Sequence, residues 1–600
     1  MGINSQAQGP GGIDTTNMTL WVRSDTGVIF DVDSNVTRWT DFSNYGNHLD
    51  SAGLGKMPNF IYQSATYNNQ NVVMFSVDSG DVLKSDAFSA PYDMTGGGWS
   101  LFLFFLYNKG SSQTGAGWFS AADALSAPKI QLNLNGNNFQ LRGDAASNKV
   151  SLGSSVFTEP IVYSLVRDVA AGTIITNQNG TQDANKTLAG TAAYQADLFK
   201  LGEDYAGLSF SEMQVTEVIF LNRTATTMEV KMIENYFSSK YGGVLTGNDL
   251  YIGDALAQGD YDYDIAGVGT DGTTTKDSSS GAGLKAKINS GFSTSDYFFY
   301  GHKVTENTRN TSDTAGIGGT GTLAARFERV WYFDNTNTTA GDNLVDLTFD
   351  LSDAGYDGSV TPSTAGNYIL IYRATDGSGT WTVVDTAVSI TDGDKINFTG
   401  VNLATNGDGY YTLATKDASV SPLPVEMVSF KGAFSNGIVN LNWVTASEIN
   451  NQYFEVQRSI DGINWSWVGV VAGSGNTVNL TQYSFVDKYP LQGLTYYRLK
   501  QVDIDGNYHL SKIIKVINTH NQVVYNIKPN PSKGIFEIVG NVNSPEKIVL
   551  LNSVGAKVSF NYVIKESSIS INAETLQAGV YTLLIPTVEG YQSKKIVIQP

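Results

Sequence analysis

Short apolar runs alternate with stretches rich in Gly, Asn, Ser and Thr along almost the whole chain, a pattern that predicts β-strands joined by loops. In the N-terminal region the runs recur at 72–75, 99–106, 129–134, 161–166, 198–201 and 214–221. One stretch breaks the pattern. Thr226 stands three residues before Glu229, then Val230, Ile233, Phe237 and Tyr241 recur at helical spacing, and Gly242-Gly243 follows, which predicts one capped helix. Many strands and a single helix predict a two-sheet jelly roll over residues 9–245, with the helix packed across it as a closing latch.

The alternation resumes at 326–333, 345–351, 368–372, 381–385 and 410–414, predicting a second β-sandwich over residues 246–418. Ser419-Val420-Ser421-Pro422-Leu423-Pro424 reads as a proline-stiffened linker, residues 419–424. Seven runs between Val425 and Ile517 give the strand count of an immunoglobulin-type sandwich, residues 425–518. In the last segment, residues 524–600, the prolines of Lys528-Pro529-Asn530-Pro531 fix the entry into a strand that begins near Ile535. Further short strands at 546–552, 568–571, 579–585 and 594–598 predict a small antiparallel sandwich. The fold class expected is therefore all-β, a chain of β-sandwich domains.

Composition narrows the function. Six hundred residues exceed one core and suggest about four domains. Charged residues are only 16%, below the ~25% of ordinary soluble domains, so turn-forming residues supply the polarity. A net charge of −19 leaves no basic stripe for nucleic acid. The absence of cysteine removes disulfides, thiolate metal sites and cysteine nucleophiles, and the four histidines are scattered. The most apolar run, Leu101 to Leu106, is too short to span a bilayer, so no transmembrane segment is expected. Ser5-Gln6-Ala7-Gln8 fits a signal-peptidase site after Ala7, so residues 1–8 read as the trimmed end of a signal peptide behind an added methionine.

Several motifs carry resemblances. Lys528-Pro529-Asn530-Pro531 with Gly534 and Phe536, the 552–557 turn with Gly555, Gly579 and Tyr581 in Leu-x-x-Gly-Val-Tyr, and the terminal Lys594-Lys595-Ile-Val resemble the type A C-terminal sorting domain of proteins exported by the Bacteroidota type IX secretion system. The resemblance implies passage through the periplasm to the cell surface or the medium. It also implies recognition by the outer-membrane translocon and a shuttle protein, and removal by a sortase. Leu20-Trp21-x-Arg23-x-Asp25-x-Gly27-Val28, Trp39-x-Asp41-x-Ser43-x-x-Gly46-Asn47 and Glu217-Val218-Ile219 resemble laminin-G/concanavalin-like domains. Asp264-Ile265-Ala266-Gly267-x-Gly269, Arg329-Val330-Trp331 and Tyr411 to Thr415 are similar to an uncharacterised sandwich domain that follows such jelly rolls. Leu441-Asn442-Trp443, the 451–462 segment and Tyr496-Tyr497-Arg498-Leu499 resemble a fibronectin type III-like spacer.

Candidate chemistry is sparse. Retaining glycosidases need paired carboxylates about 5 Å apart, and the Glu-x-Asp-x-x-Glu run of that jelly-roll family does not occur. Glu217 stands alone and reads as a structural acid bonding a neighbouring loop. Trp21, Trp39, Trp99 and Trp118 either present a flat face to a pyranose ring, with the Asn135 to Asn138 loop bonding hydroxyls, or fill the core. Asp260, Asp262 and Asp264 alternate with aromatics, so on a strand they share one face and, with Asp271, offer oxygen ligands to calcium or else guard a solvated edge. No other cofactor is expected. Arg142-Gly143-Asp144 reads as a hairpin turn or as an integrin-type tripeptide, and Asp14-Thr15-Thr16, Asp313-Thr314-Ala315 and Asp385-Thr386-Ala387 fit an O-glycosylation pattern. The functional expectation is an exported, non-catalytic adhesion or glycan-binding protein acting through the jelly roll. A polysaccharide hydrolase and a structural or secretion-associated protein-binding component are the alternatives.

Overall fold

The computed structural model describes residues 9–600 apart from 32, 54, 86–91, 94–97, 108–116, 123–127, 136–137, 143–148, 155–158, 188–194, 197, 204–209, 211, 304–308, 319–323, 338–341, 353–361, 419–420, 422, 424–426, 436, 446–447, 461, 463, 478–480, 492, 504–507, 512, 519–524, 541, 543, 566–567 and 588–589. The chain divides into two compact units, Met1–Glu426 and Met427–Pro600. Both are built from antiparallel β-sandwiches, so the all-β expectation holds.

Unit 1 opens with a sandwich of two large sheets. One sheet runs from Thr181–Thr187 through Thr173–Gln178, Ile161–Asp168, Gly98–Tyr107, Met213–Leu221 and Gln70–Phe75 to Asn59–Ser64, and Met18–Arg23 also pairs with Met213–Leu221. The facing sheet runs from Lys149–Ser154 to Val28–Phe30. Leu101, Leu103, Phe105, Tyr163, Leu165, Val218 and Phe220 alternate into the core between them, against Phe119, Leu132 and Phe199. The Trp39 to His48 turn is held by one carboxylate: Asp41 accepts from the backbone N–H of Trp21 at 2.8 Å, of Ser43 at 2.9 Å and of Asn47 at 2.6 Å.

Helix α1, Thr227–Tyr241, forms where periodicity and caps predicted it. Thr226 and Glu229 make a reciprocal capping box, and Gly242 at φ +70° ends the helix. It is more than a latch. Ile233, Phe237 and Tyr241 pack on Phe102, Phe104 and Val162 of the first sandwich. Met228 and Met232 emerge on another side and pack with Tyr251, Tyr297 and Phe299 of the second sandwich. Two glycines admit them: a Cβ at Gly267 would lie 2.8 Å from Met232 Sδ, and one at Gly269 would lie 3.2 Å from Met228 Cε. The Gly-x-Gly of strand Tyr263–Thr270 is therefore the seat of the helix.

The second sandwich pairs a sheet running from Thr275–Lys276 through Tyr263–Thr270, Asp296–His302, Trp331–Thr336 and Gly409–Thr415 to Arg309–Asn310 with a sheet running from Ser278–Gly281 to Ser389–Thr391. Its core holds Phe298, Trp331, Phe333, Phe349 and Phe398. The first two sandwiches thus share a buried helix, which joins into one unit what the alternation had divided at 245/246. The described part of the proline-stiffened segment is anchored too: Leu423 is buried in this second core, and Ser421 Oγ donates to Thr364 O at 3.1 Å.

Unit 2 contains two smaller sandwiches. In the first, Met427–Ser435, Ile438–Thr445 and Thr481–Asp487 face a sheet of Ser466–Thr477, Glu448–Ser459, Gly493–Asp503, Tyr508–Leu510 and Ile514–Asn518 around Trp443, Phe454 and Tyr497. In the second, Asn526–Lys528, Ile535–Val539, Ser568–Asn572 and Asn561–Ile564 face Lys557–Val558, Val549–Leu551, Gly579–Thr587 and Gly590–Ile598.

Candidate functional site: a polar groove beside the helix

The outer face of the first sandwich carries a groove of about 410 Å³ along α1. Its floor follows from the two-residue period of strands. Ser164, Val166 and Asp168 point away from the core and stand opposite Asn177, Ile175 and Thr173 on the next strand. Gln182 extends the floor, Thr227, Val230 and Lys231 of α1 form a wall, and Asn248 closes one end. Lys231 is fixed by Tyr297, whose hydroxyl accepts from Nζ at 2.9 Å and whose ring lies 5.2 Å from the ammonium.

Where the floor meets α1 lies Glu234 of the helix, fully buried. Oε1 accepts from Ser164 Oγ and Asn177 Nδ2, each at 2.8 Å, and Oε2 accepts from Asn248 Nδ2 at 2.9 Å. Burial raises its carboxyl above the ordinary range, against the pull of those three donors and of Lys231. The acid positions the lining amides and hydroxyl from the helix side. The opening is lined by hydroxyl and amide groups interleaved with Val166, Ile175, Ala225 and Val230, with Asp168 and Lys231 as the charges, a mixed surface suited to ligands that carry both hydroxyls and apolar C–H faces.

Glu217 lies elsewhere and is sealed. It accepts from Trp21 Nε1 at 2.6 Å, Lys240 Nζ at 2.8 Å, Tyr241 OH at 2.5 Å and Tyr236 OH at 3.2 Å. Its structural role is with the helix rather than with a loop. Lys240 also lies 3.4 Å from Asp25, which pairs with Arg23 at 2.9 Å. Burial would raise the Asp25 carboxyl, yet Lys240 and Arg23 hold it below the ordinary carboxylate range.

Three of the four tryptophans read as platforms or core are core in the described structure. Trp21 and Trp39 are buried, their indole N–H groups spent on Glu217 and on Arg23 O at 2.9 Å, and Trp99 is buried as well. The side chain of Trp118, the tip of the Asn135 to Asn138 loop, and Gly143 and Asp144 of the tripeptide lie outside the described residues. The carboxylates of Asp260, Asp262 and Asp264 do not share a face, because the strand begins at Tyr263 and both Asp260 and Asp264 have positive φ. Asp262 instead accepts from Asn68 Nδ2 at 2.7 Å, and Asp264 meets buried His302 Nε2 at 2.9 Å. Among the described residues no group of three or more acids and histidines is placed to hold a metal ion. Thr15 of the first glycosylation-like tripeptide is buried.

In the C-terminal sandwich each motif residue has a structural task. Asn530 donates from Nδ2 to Lys595 O at 2.7 Å and accepts from Val597 N–H at 2.9 Å, so the proline turn is clipped to the strand carrying Lys594 and Lys595. Pro529 and Pro531 flank that clip, and Lys528 ends the strand before it. Gly534 has φ +95°, and a Cβ there would lie 2.6 Å from Glu574 Cα. Phe536 fills the core. Gly555 turns at φ +80° over Asn552, whose side chain accepts from Ala556 N–H at 2.9 Å. Gly579 begins its strand, and Tyr581 donates to Gln577 O at 2.8 Å.

These features define an all-β protein of linked sandwiches ending in a compact, motif-bearing module. Residues 525–599 match the family model described as the secretion system C-terminal sorting domain. The chain therefore carries the type IX export signal, which directs it to the cell surface or the extracellular space and implies interaction with the type IX machinery. No helix among the described residues is long and apolar enough to cross a membrane. No curated protein matches the sequence.

Solved structures with partial likeness include a Trypanosoma rangeli sialidase (12% identity, 36% of this chain and 32% of that one, TM-score 0.26). A GH54 α-L-arabinofuranosidase follows at 12% identity, 41% and 58% coverage and TM-score 0.28. The binding domain of botulinum neurotoxin DC follows at 9% identity, 80% and 96% coverage and TM-score 0.26. The match spans about a third of the sialidase's length. Likeness this slight carries no functional argument.

The groove residues Ser164, Asn177, Gln182, Lys231 and Asn248 were not singled out from sequence. The available signals were Ser164 as a hydroxyl inside the apolar run Ile161 to Val166 and Glu234 between the apolar positions of the helix.

Proposed function

We propose that this exported chain is a non-catalytic adhesion protein that binds glycans through the groove beside α1. The groove itself carries the reading: about 410 Å³, lined by hydroxyl and amide groups among apolar side chains, with the buried Glu234 of the adjoining helix engaged by three of them. Hydrogen-bonding side chains held in place by that carboxyl select a hydroxylated ligand at little entropic cost. The engaged state of Glu234 favours retention of the saccharide over its hydrolysis. In the same reading the first sandwich is a laminin-G/concanavalin-like head, and the 427–518 sandwich is a fibronectin type III-like spacer. The tail is recognised by the outer-membrane translocon and a shuttle protein and removed by a sortase.

The test is titration calorimetry of the full chain against a panel of neutral oligosaccharides, with reducing ends assayed in parallel. Binding that weakens at least tenfold in Gln182→Ala and disappears in Thr173→Arg, without new reducing ends, supports the reading. Binding indifferent to both substitutions refutes the groove, and release of reducing ends favours the hydrolase alternative.

A further inference from the structure

The larger sheet of the 427–518 sandwich exposes an aromatic and basic face, and we propose that this face binds an acidic polysaccharide. The proposal is independent of the groove. Trp21, Trp39, Trp99, Trp331, Trp381 and Trp443 are each at most 3% exposed, whereas Trp467 is 64% exposed. Burying an indole is worth more than almost any other side-chain burial, so one held open on a rigid strand is an available contact surface.

Its neighbours make the surface specific. Trp467, Gln457 and Arg498 stand side by side on three adjacent strands. Arg498 Nε donates to Gln457 Oε1 at 2.8 Å, and its guanidinium lies 4.1 Å from the centre of the Trp465 ring, so the cation is fixed in place. The next row places Val470, Glu455 and Lys500 together, with Lys500 at 3.5 Å from Glu455. On the other side Lys515 lies 5.9 Å from the Tyr496 ring. Among the described residues of these rows, three cations face one carboxylate, in a chain of net charge −19.

Strands ~4.8 Å apart space such side chains at about the length of one sugar ring. The open indole suits the C–H face of a pyranose, and the cations suit a uronate carboxylate. Protein interfaces, by contrast, deplete Lys and Glu at their centres, and here Lys500 and Glu455 run through the middle of the sheet.

Affinity electrophoresis of the full chain through gels containing polygalacturonate or neutral dextran tests this. Polygalacturonate should retard the wild-type chain. Retardation should fall at least tenfold in apparent affinity for Trp467→Ala and fall also for Arg498→Gln, and neither substitution should change mobility in dextran. Because Trp467 is exposed, its variant should keep the wild-type circular dichroism spectrum. Absence of retardation in polygalacturonate, retardation by dextran lost with the same two substitutions, or retardation indifferent to both would overturn the proposal. Concentration-dependent dimers lost in Trp467→Ala without saccharide binding would overturn it too, in favour of a second copy of this chain.

Discussion

Replacing Lys240 by Met tests whether the junction between α1 and the first sandwich is organised by charge. Lys240 sits among Glu217, Asp25 and the rings of Tyr236 and Tyr241, with Glu217 wholly buried and the ammonium 2.8 Å from it. Methionine keeps most of the volume but strands the Glu217 charge. Removing one partner of a buried pair costs about 3–5 kcal/mol. Neutralising both, in Glu217→Gln with Lys240→Met, should recover much of that cost, since no buried charge lacks its counter-charge, the amide oxygen still accepts from Trp21, and the amide nitrogen can donate to the Tyr241 hydroxyl. Urea unfolding of the full chain, followed by tryptophan fluorescence, reads both effects in the transition that includes Trp21. A single-variant loss below about 1 kcal/mol, the range of an exposed ion pair, or strictly additive losses in the double variant would refute the argument.

Three further outcomes follow from the geometry. Burial, then repulsion from Asp408, Asp254 and Asp249, raises Asp334 to about 7 against the donated N–H of Ile252, while the unfolded carboxyl titrates near ~3.9. The folded state therefore holds a proton the unfolded chain has lost, so this stabilisation is complete below about pH 4 and lost as pH rises towards 7, by roughly 4 kcal/mol. Asp334→Asn should flatten the pH dependence of unit 1 unfolding between about pH 4 and 7, and an unchanged slope would refute the assignment. Gly267→Val would drive a branched side chain against Met232 and Phe298 O, so it should destabilise the helix seat by at least ~1–3 kcal/mol, seen as faster proteolysis near α1. Gly534→Ala combines a positive φ with a backbone overlap and should cost more than ~1 kcal/mol, measured as a lower melting temperature of the C-terminal sandwich and a lower exported yield.

Local features were legible in the sequence and non-local ones were not. Helix α1 and both of its caps could be read because Thr226, Glu229 and Gly242 act within a few residues of one another. The sorting motif could be read for the same reason, its turns being set by Pro529, Pro531 and Gly555. The two-sided burial of α1 was hidden, since Met228 and Met232 fall between the apolar positions of one face and matter only where Gly267 and Gly269 meet them. The acidic alternation at 260–264 misled because positive φ at Asp260 and Asp264 breaks the strand geometry it assumed. Sequence left the tryptophans open between platform and core because exposure depends on which sheet face covers them, which put Trp21 and Trp39 inside and left Trp467 open. The groove joins residues on the 161–187 strands to α1 and Asn248, a conjunction that only the folded chain makes.

The division between an exported head and a C-terminal export signal is tested most directly by deleting residues 525–600 and measuring where the chain accumulates. Fractionation followed by quantitative mass spectrometry should find the full chain at the surface or in the medium and the truncated chain, folded, in the periplasm. Truncated chain reaching the medium at the level of the full chain would contradict the account.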